Sequence, residues 1–170
     1  MIDVATAIRT RRTHKAFRPQ PVPRERVERL LELGQWAPNH HLTIPWRFRV
    51  VGPQALERLK SAAGPEAAPK LDRAPTLVVC SCVPGADPVT AEEDMHATAA
   101  ACCLILLAAH AEGLAGYWRT PDFLRHPDGA RAVGLAGGER FVGLLHLGWA
   151  AGEQPAPKRP ALETVAEFLD

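Results

Sequence analysis

Ala97-Thr98-Ala99-Ala100-Ala101-Cys102-Cys103-Leu104-Ile105-Leu106-Leu107-Ala108-Ala109 contains no charge, no glycine and no proline, so it reads as the middle of a helix running from Glu92 to Glu112. The helix begins acidic and then turns apolar on nearly all sides, and a helix apolar all round must be buried all round. A chain of 170 residues has little core to surround it. Either a second subunit covers part of it, or it fills the core of a monomer. The reading adopted here is a homodimer contact, with the small residues Ala97, Ala100 and Ala101 allowing close approach.

Working outward, Ala74-Pro75-Thr76-Leu77-Val78-Val79-Cys80-Ser81-Cys82-Val83 is a continuous apolar run, as expected of a central strand buried on both faces. Phe141 to Trp149 reads as a further strand, Gly113 to Pro121 as a glycine C-cap, a short strand and a polar, aromatic turn, and Trp46-Arg47-Phe48-Arg49-Val50-Val51 alternates as a strand with one partly exposed face does. Helices are predicted from Asp3, as N-cap, to Thr10, with Val4, Ala7 and Ile8 on one stripe. Others are predicted from Val22 to Trp36 and from Gln54 to Ala63, with short pieces between Phe123 and Val133. Gly64 to Pro69 reads as a connector, and the proline-rich Gly152 to Pro160 as an extended segment crossing a surface. No repeat or linker divides the chain, so residues 1–170 are expected to form one domain.

The net charge is +1, and the aromatics are few and scattered, which speaks against a broad nucleic-acid surface. The N-terminus lacks a signal-peptide core, and no segment offers the roughly 20 uninterrupted apolar residues of a membrane span, so a soluble cytoplasmic protein is expected. Cys80, Cys82, Cys102 and Cys103 lack zinc spacing and lie in apolar runs, as buried reduced thiols do. Glu92, Asp94 and His96 are read as capping and solvating a helix start rather than binding metal, and no metal site is expected.

Two loops concentrate the polar chemistry. Ala37-Pro38-Asn39-His40-His41-Leu42-Thr43-Ile44-Pro45-Trp46 lies between a helix and a strand, where binding groups tend to sit. Arg11-Arg12-Thr13-His14-Lys15-Ala16-Phe17-Arg18-Pro19 is either a solvated basic turn or a phosphate site built from guanidinium forks and a hydroxyl. Neither serine lies in G-x-S-x-G, and the phosphate-binding glycine motifs of Rossmann and P-loop proteins are absent. What remains is an anionic ligand with an aromatic body.

The ordered set Ile8-Arg9-Thr10-Arg11-Arg12-Thr13, Phe17, Val22-Pro23, Ala37-Pro38-Asn39-His40 and Pro45-Trp46 resembles the N-terminal signature of the FMN-dependent nitroreductases. Gly113-Leu114-Ala115-Gly116-Tyr117-Trp118-Arg119-Thr120 and Val142-Gly143-Leu144-Leu145-His146-Leu147-Gly148 resemble the second half of that family's short, single-domain branch. The resemblance implies an α+β fold, a three-layer α-β-α sandwich with a mixed, mainly antiparallel sheet. It also implies a homodimer built on the long helix, with FMN at the subunit interface. By the same resemblance Arg11, Arg12 and Thr13 contact the FMN phosphate, ribityl chain and polar flavin edge, and His40 reaches the cofactor of the neighbouring chain. Trp118, Arg119 and Thr120 match a segment that touches the cofactor, and Lys158 and Arg159 match a basic pair closing over the phosphate.

The implied activity is reduction of nitroaromatic, quinone or related small acceptors by NADH or NADPH in a ping-pong cycle, with flavin rather than a side chain as the reactive group. Thr13 stands where serine is usual, and His40-His41 replaces a Ser-x-x-Asn pattern. Ile44 replaces the usual glutamine, and the extra helices that cover the pocket in larger members are missing. Two alternatives stay open: a flavin-dependent reductase of unsaturated or halogenated molecules, and a non-enzymatic module binding a phosphorylated ligand or nucleic acid.

Overall fold

Every residue of β2 (Thr76–Cys82) is buried, as its unbroken apolar run requires, and the rest of the sheet is laid out around it. Its neighbours are β1 (Trp46–Val50) on one side and β4 (Arg140–Gly148) on the other; β3 (Ala115–Arg119) pairs with the far side of β4. The order is therefore β1-β2-β4-β3, with every strand pair antiparallel, in a computed structural model describing residues 2–169. Among the described residues a parallel contact occurs only at the isolated bridge between Thr13 and Gly116.

Register explains how two faces are filled. Val78, Cys80 and Cys82 point to one core cluster and Leu77 and Val79 to the other, the alternation expected of a strand. On β4 that alternation is interrupted: Cys80 opposes Gly143 and Ser81 opposes Phe141, so one residue of β4 bulges. The bulge lets Val142 join Leu145 and Leu147 on one face, while Phe141 and Leu144 share the other. Both faces are thus apolar and each is covered by helices, giving three layers.

One layer consists of α2 (Arg24–Gly34) and α4 (Pro88–Ala111); the other contains α3 (Pro53–Ala67) and α5 (Pro127–Ala132). The short α1 (Val4–Thr10) lies against α4, with Asp3 capping it through the Thr6 N–H at 3.0 Å, as expected. Of its predicted stripe only Ala7 is buried; Val4 and Ile8 are exposed. The predicted connector after Ala63 is instead a last turn of α3, because Gly64 at φ 72° breaks the helix and Pro65 restarts it.

The long helix starts at Pro88, earlier than the acidic residues suggested. Asp87 is the N-cap, accepting from the Val89 and Thr90 N–H groups. By length and composition α4 could cross a membrane, contrary to the sequence expectation, but its Cys102, Ile105, Leu106 and Ala109 fill the core under the sheet. Ala97 and Ala101 pack against Ala37 and Trp46 of the same chain, so these two small residues serve internal packing rather than an outward contact. Cys80, Cys82 and Cys102 are buried free thiols, whereas Cys103 is exposed because it lies on the side of α4 turned away from the sheet.

Gly34 shows how tight the helix pair is. Alanine is ordinarily favoured over glycine inside a helix by about 1 kcal/mol, but a Cβ here would lie 2.6 Å from Cγ1 of the fully buried Ile105. Overpacking of that kind costs about 1–3 kcal/mol, so the clash outweighs the propensity gain. Gly34→Ala is expected to lower the melting temperature by a few degrees, measured by circular dichroism; an increase would show that the pair is looser than described.

Candidate functional site

The basic loop lies along the free edge of β3. Thr13 bridges Gly116, and the His14 N–H donates to the Gly116 carbonyl at 3.2 Å. Further on, Phe17 bridges Ala150 and the Arg18 N–H donates to the Trp149 carbonyl at 2.8 Å. The chain leaving β4 is thereby fastened to the basic loop and carries the proline-rich segment back over it. The result is a cavity of about 310 Å³ lined by Arg11, Arg12, Thr13, Gln154, Pro155, Pro157 and Arg159.

The two arginines of the loop differ. Arg12 donates to the Arg9 carbonyl at 2.7 Å and to the Arg11 carbonyl at 3.0 Å, satisfying acceptors left over at the end of α1. Arg11 is half-buried, and among the described residues its guanidinium has neither a hydrogen bond nor an ion pair. A half-buried cation without a counterion calls for an anion. Its surroundings are basic too. Burial first, and then Arg11, push His14 below the ordinary histidine range, against a raising backbone contact at Gly152. Burial followed by Arg11, His14 and Arg12 does the same to His110, whose Nε2 lies 2.7 Å from the Thr10 hydroxyl.

The second loop sits at the other end of α4. His40 Nδ1 lies 2.7 Å from Glu93 Oε2, and its ring stacks on His41 at a centroid distance of 3.8 Å. His41, Leu42 and Ile44 have φ of 52°, 51° and 49°, in a region that costs an L-residue about 1–2 kcal/mol each. Strain of this sort persists where surrounding contacts hold it, typically at functional sites. Asp94, read from the sequence as solvated, is buried and accepts from the Thr43 hydroxyl at 2.6 Å and the Gly85 N–H at 2.8 Å. The Asn39 side-chain oxygen accepts from the Ile44 N–H at 2.9 Å.

The structure brings Arg11, Arg12, Thr13 and Arg159 together; Lys158 precedes Arg159 on the same exposed segment but does not line the cavity. Trp118 packs into the core beside the bulge, donating its indole N–H to the Val142 carbonyl at 3.3 Å over Gly143, which has no side chain to obstruct it. Arg119 reaches the Lys70 carbonyl at 3.4 Å, and Thr120 is exposed. His40 is brought to neither group. At about 1.5 Å per residue, Glu93 and His110 lie about 25 Å apart along α4. Sequence reasoning missed Glu93 and Asp94 as supports of the loop, as well as His14 and His110 beside the arginines. The Asp87-Pro88 capping pair was the available signal that Asp94 lies inside the helix.

His146 of β4, opposite Tyr117, is fully buried, and neither ring nitrogen has a partner. Burial, reinforced by Arg119 and Arg73, lowers its pKa to about 3, so it is a neutral core residue.

The sequence profile of the nitroreductase family matches residues 8–70. A protein of Escherichia coli K12 named as the NAD(P)H nitroreductase YdjA is 30% identical over 145 residues, 76% of this chain and 79% of its own. The Bacillus subtilis protein named as the NAD(P)H nitroreductase YfhC is 27% identical over 158 residues, 84% of this chain and 81% of its own. A nitroreductase crystal structure from Desulfovibrio desulfuricans in complex with FMN superposes with a TM-score of 0.81 at 26% identity, covering 100% of this chain and 99% of that one. A nitroreductase-like protein from Bacillus cereus gives a TM-score of 0.90 at 24% identity, covering 100% and 97%.

The depressed His146 pKa fixes the sign of one pH effect. The unfolded chain takes up this proton near pH 6.5 and the folded chain only near 3, so stability is full above about 6.5 and falls as the pH drops toward 3. The slope attributable to His146 is up to about 1.4 kcal/mol per pH unit. Urea midpoints measured at pH 7 and pH 5 should therefore fall less in His146→Leu than in the parent. Equal falls would show that His146 is hydrated or paired.

Proposed function

We infer that the protein is an FMN-dependent NAD(P)H oxidoreductase, because the chain belongs to the nitroreductase family. The observation within this chain that supports the cofactor is the half-buried, unpaired Arg11 guanidinium sharing a cavity with the Thr13 hydroxyl and Arg159. That donor set suits a phosphate monoester: planar forks on a dianion, with a hydroxyl beside them. Arg11 and Arg159, with Lys158 on the segment beside it, hold the phosphate, while Arg12 is committed to closing α1 and steadies the loop. Arg119, and Thr120 just past the end of β3, extend the cofactor wall, whereas the Trp118 ring is committed to the core over Gly143.

Bound FMN supplies the two-electron chemistry, accepting hydride from NADH or NADPH and delivering electrons to a nitroaromatic, quinone or similar acceptor. Donor and acceptor take turns at one open face in ping-pong order. The protein's part is to place the ring and surround its polar edge with cationic and hydrogen-bonding groups.

A homodimer completes the site. His96, Ala100, Cys103, Leu107 and His110 form a stripe of α4 spaced alternately by four and three residues, and in the single chain it is exposed or half-exposed. Helices pair along such a seam, and Val4 and Ile8 of α1 extend the apolar area beside it. If a two-fold axis passes near Cys103, antiparallel α4 helices set His96 of one copy against His110 of the other. The histidine loop of each copy then lies beside the Arg11 cavity of its partner. In this arrangement His40 serves the neighbouring chain's FMN, and the enzyme is soluble and cytoplasmic.

Purified protein is expected to be yellow, with one FMN per chain, and to oxidise NAD(P)H when an acceptor such as 1,4-benzoquinone is present. Colourless protein that takes up no added FMN would overturn this function. Arg11→Ala should weaken FMN binding by about 10- to 100-fold, as loss of a charge-assisted contact of about 1.5–3 kcal/mol implies. Co-refolding Arg11→Ala with His40→Ala should restore high-affinity binding in the mixed dimer, where one site has both residues; no recovery would place both residues on one chain's site. Mild oxidation should link copies through Cys103, and Cys103→Ser should abolish the link, read on non-reducing gels.

A further inference from the structure

We propose that Asp94 and Thr43 form a latch that holds the strained histidine loop in its cofactor-competent shape, making both of them positioning residues for FMN bound to the partner chain. The proposal rests on the reading that His40 reaches that cofactor. Two adjacent residues of α4 grip the loop: Glu93 faces the His40 ring at 2.7 Å, and Asp94 takes the Thr43 hydroxyl at 2.6 Å. Thr43 in turn donates its backbone N–H to the His40 carbonyl at 3.3 Å, so its position is transmitted directly to His40.

The loop has reason to move if released. Three non-glycine residues within four positions have left-handed φ, one of them the β-branched Ile44, and within the loop itself only the Asn39 side chain on the Ile44 N–H and the Thr43 N–H on the His40 carbonyl oppose that strain. The carboxylate holding it is buried and also occupied by the Gly85 N–H, so it is itself fixed from two sides. A buried acceptor aimed at a strained loop by the most extensively packed helix is what a preformed site requires: geometry settled before the ligand arrives. Core packing does not need this contact, because the strand that follows is anchored separately, by Trp46 in the cluster with Ala97 and Ala101.

The test uses full-length dimeric protein and FMN, with fluorescence titration and apo-protein melting measured together. Thr43→Val removes the hydroxyl and keeps the shape; it should weaken FMN binding about tenfold, and the buried Asp94 carboxylate, left short of a donor, should lower apo melting by a few degrees. Thr43→Ser should restore binding. In a His40→Ala background, Thr43→Val should cost no further affinity, because its effect passes through His40. Unchanged FMN binding in Thr43→Val, or an undiminished additional loss in the His40→Ala background, would overturn the latch. If the parent binds no FMN, the functional reading itself fails; if His40→Ala binds like the parent, the cross-subunit role fails and the latch with it.

Discussion

The contact on which the rest of the molecule depends is that of α4 with the sheet and with α2. A 24-residue helix with almost no polar side must be covered, and burying each large aliphatic residue contributes about 1.5–3 kcal/mol. β2 and β4 supply one cover with Val78, Cys80, Leu145 and Leu147, and Gly34 lets α2 close in as a second. The bulge in β4 belongs to the same requirement, since it brings Val142 to the face that α4 occupies. The remaining stripe, from His96 to His110, is what the single chain cannot cover for itself.

The same helix sets the scale of the site. Its C-terminal end carries His110 beside the basic loop and its N-terminal half carries Glu93 and Asp94 under the histidine loop, so it acts as a rigid spacer between the two polar loops. Loops tolerate strain when a stiff element backs them, and here both polar loops rest on one helix. The division of roles between Arg12 and Arg11 follows equally simple physics. One guanidinium lies next to unsatisfied carbonyls and is consumed by them; the other has no counterion among the described residues.

Much of this was legible in the residues. The apolar run ending at Val83 announced the central strand and Asp3 announced a helix cap; the arginines and Thr13, read together as a candidate loop, line one cavity with Arg159. What stayed hidden depends on three-dimensional company. Asp94 looked like a solvated helix-start residue because nothing local shows that Thr43 and Gly85 will reach it. Cys103 looked as buried as its neighbour Cys102, since adjacent helical residues differ by about 100° in direction and only the tertiary fold decides which one faces the sheet. Trp118 matched a cofactor segment by resemblance, yet its ring lies over Gly143 in the core, a placement that depends on the bulge across the sheet.

The cavity beside the basic loop is walled by two stretches of the chain that are distant in sequence, one carrying Arg11 and the other Arg159. A ribosome adds about 5–20 residues per second, so Arg11 waits roughly 7–30 seconds for Arg159. β4 ends at Gly148, just ahead of Arg159, so the sheet is completed and the second wall arrives at almost the same time. A protease nick in the exposed proline-rich segment would detach that wall while leaving the three layers standing.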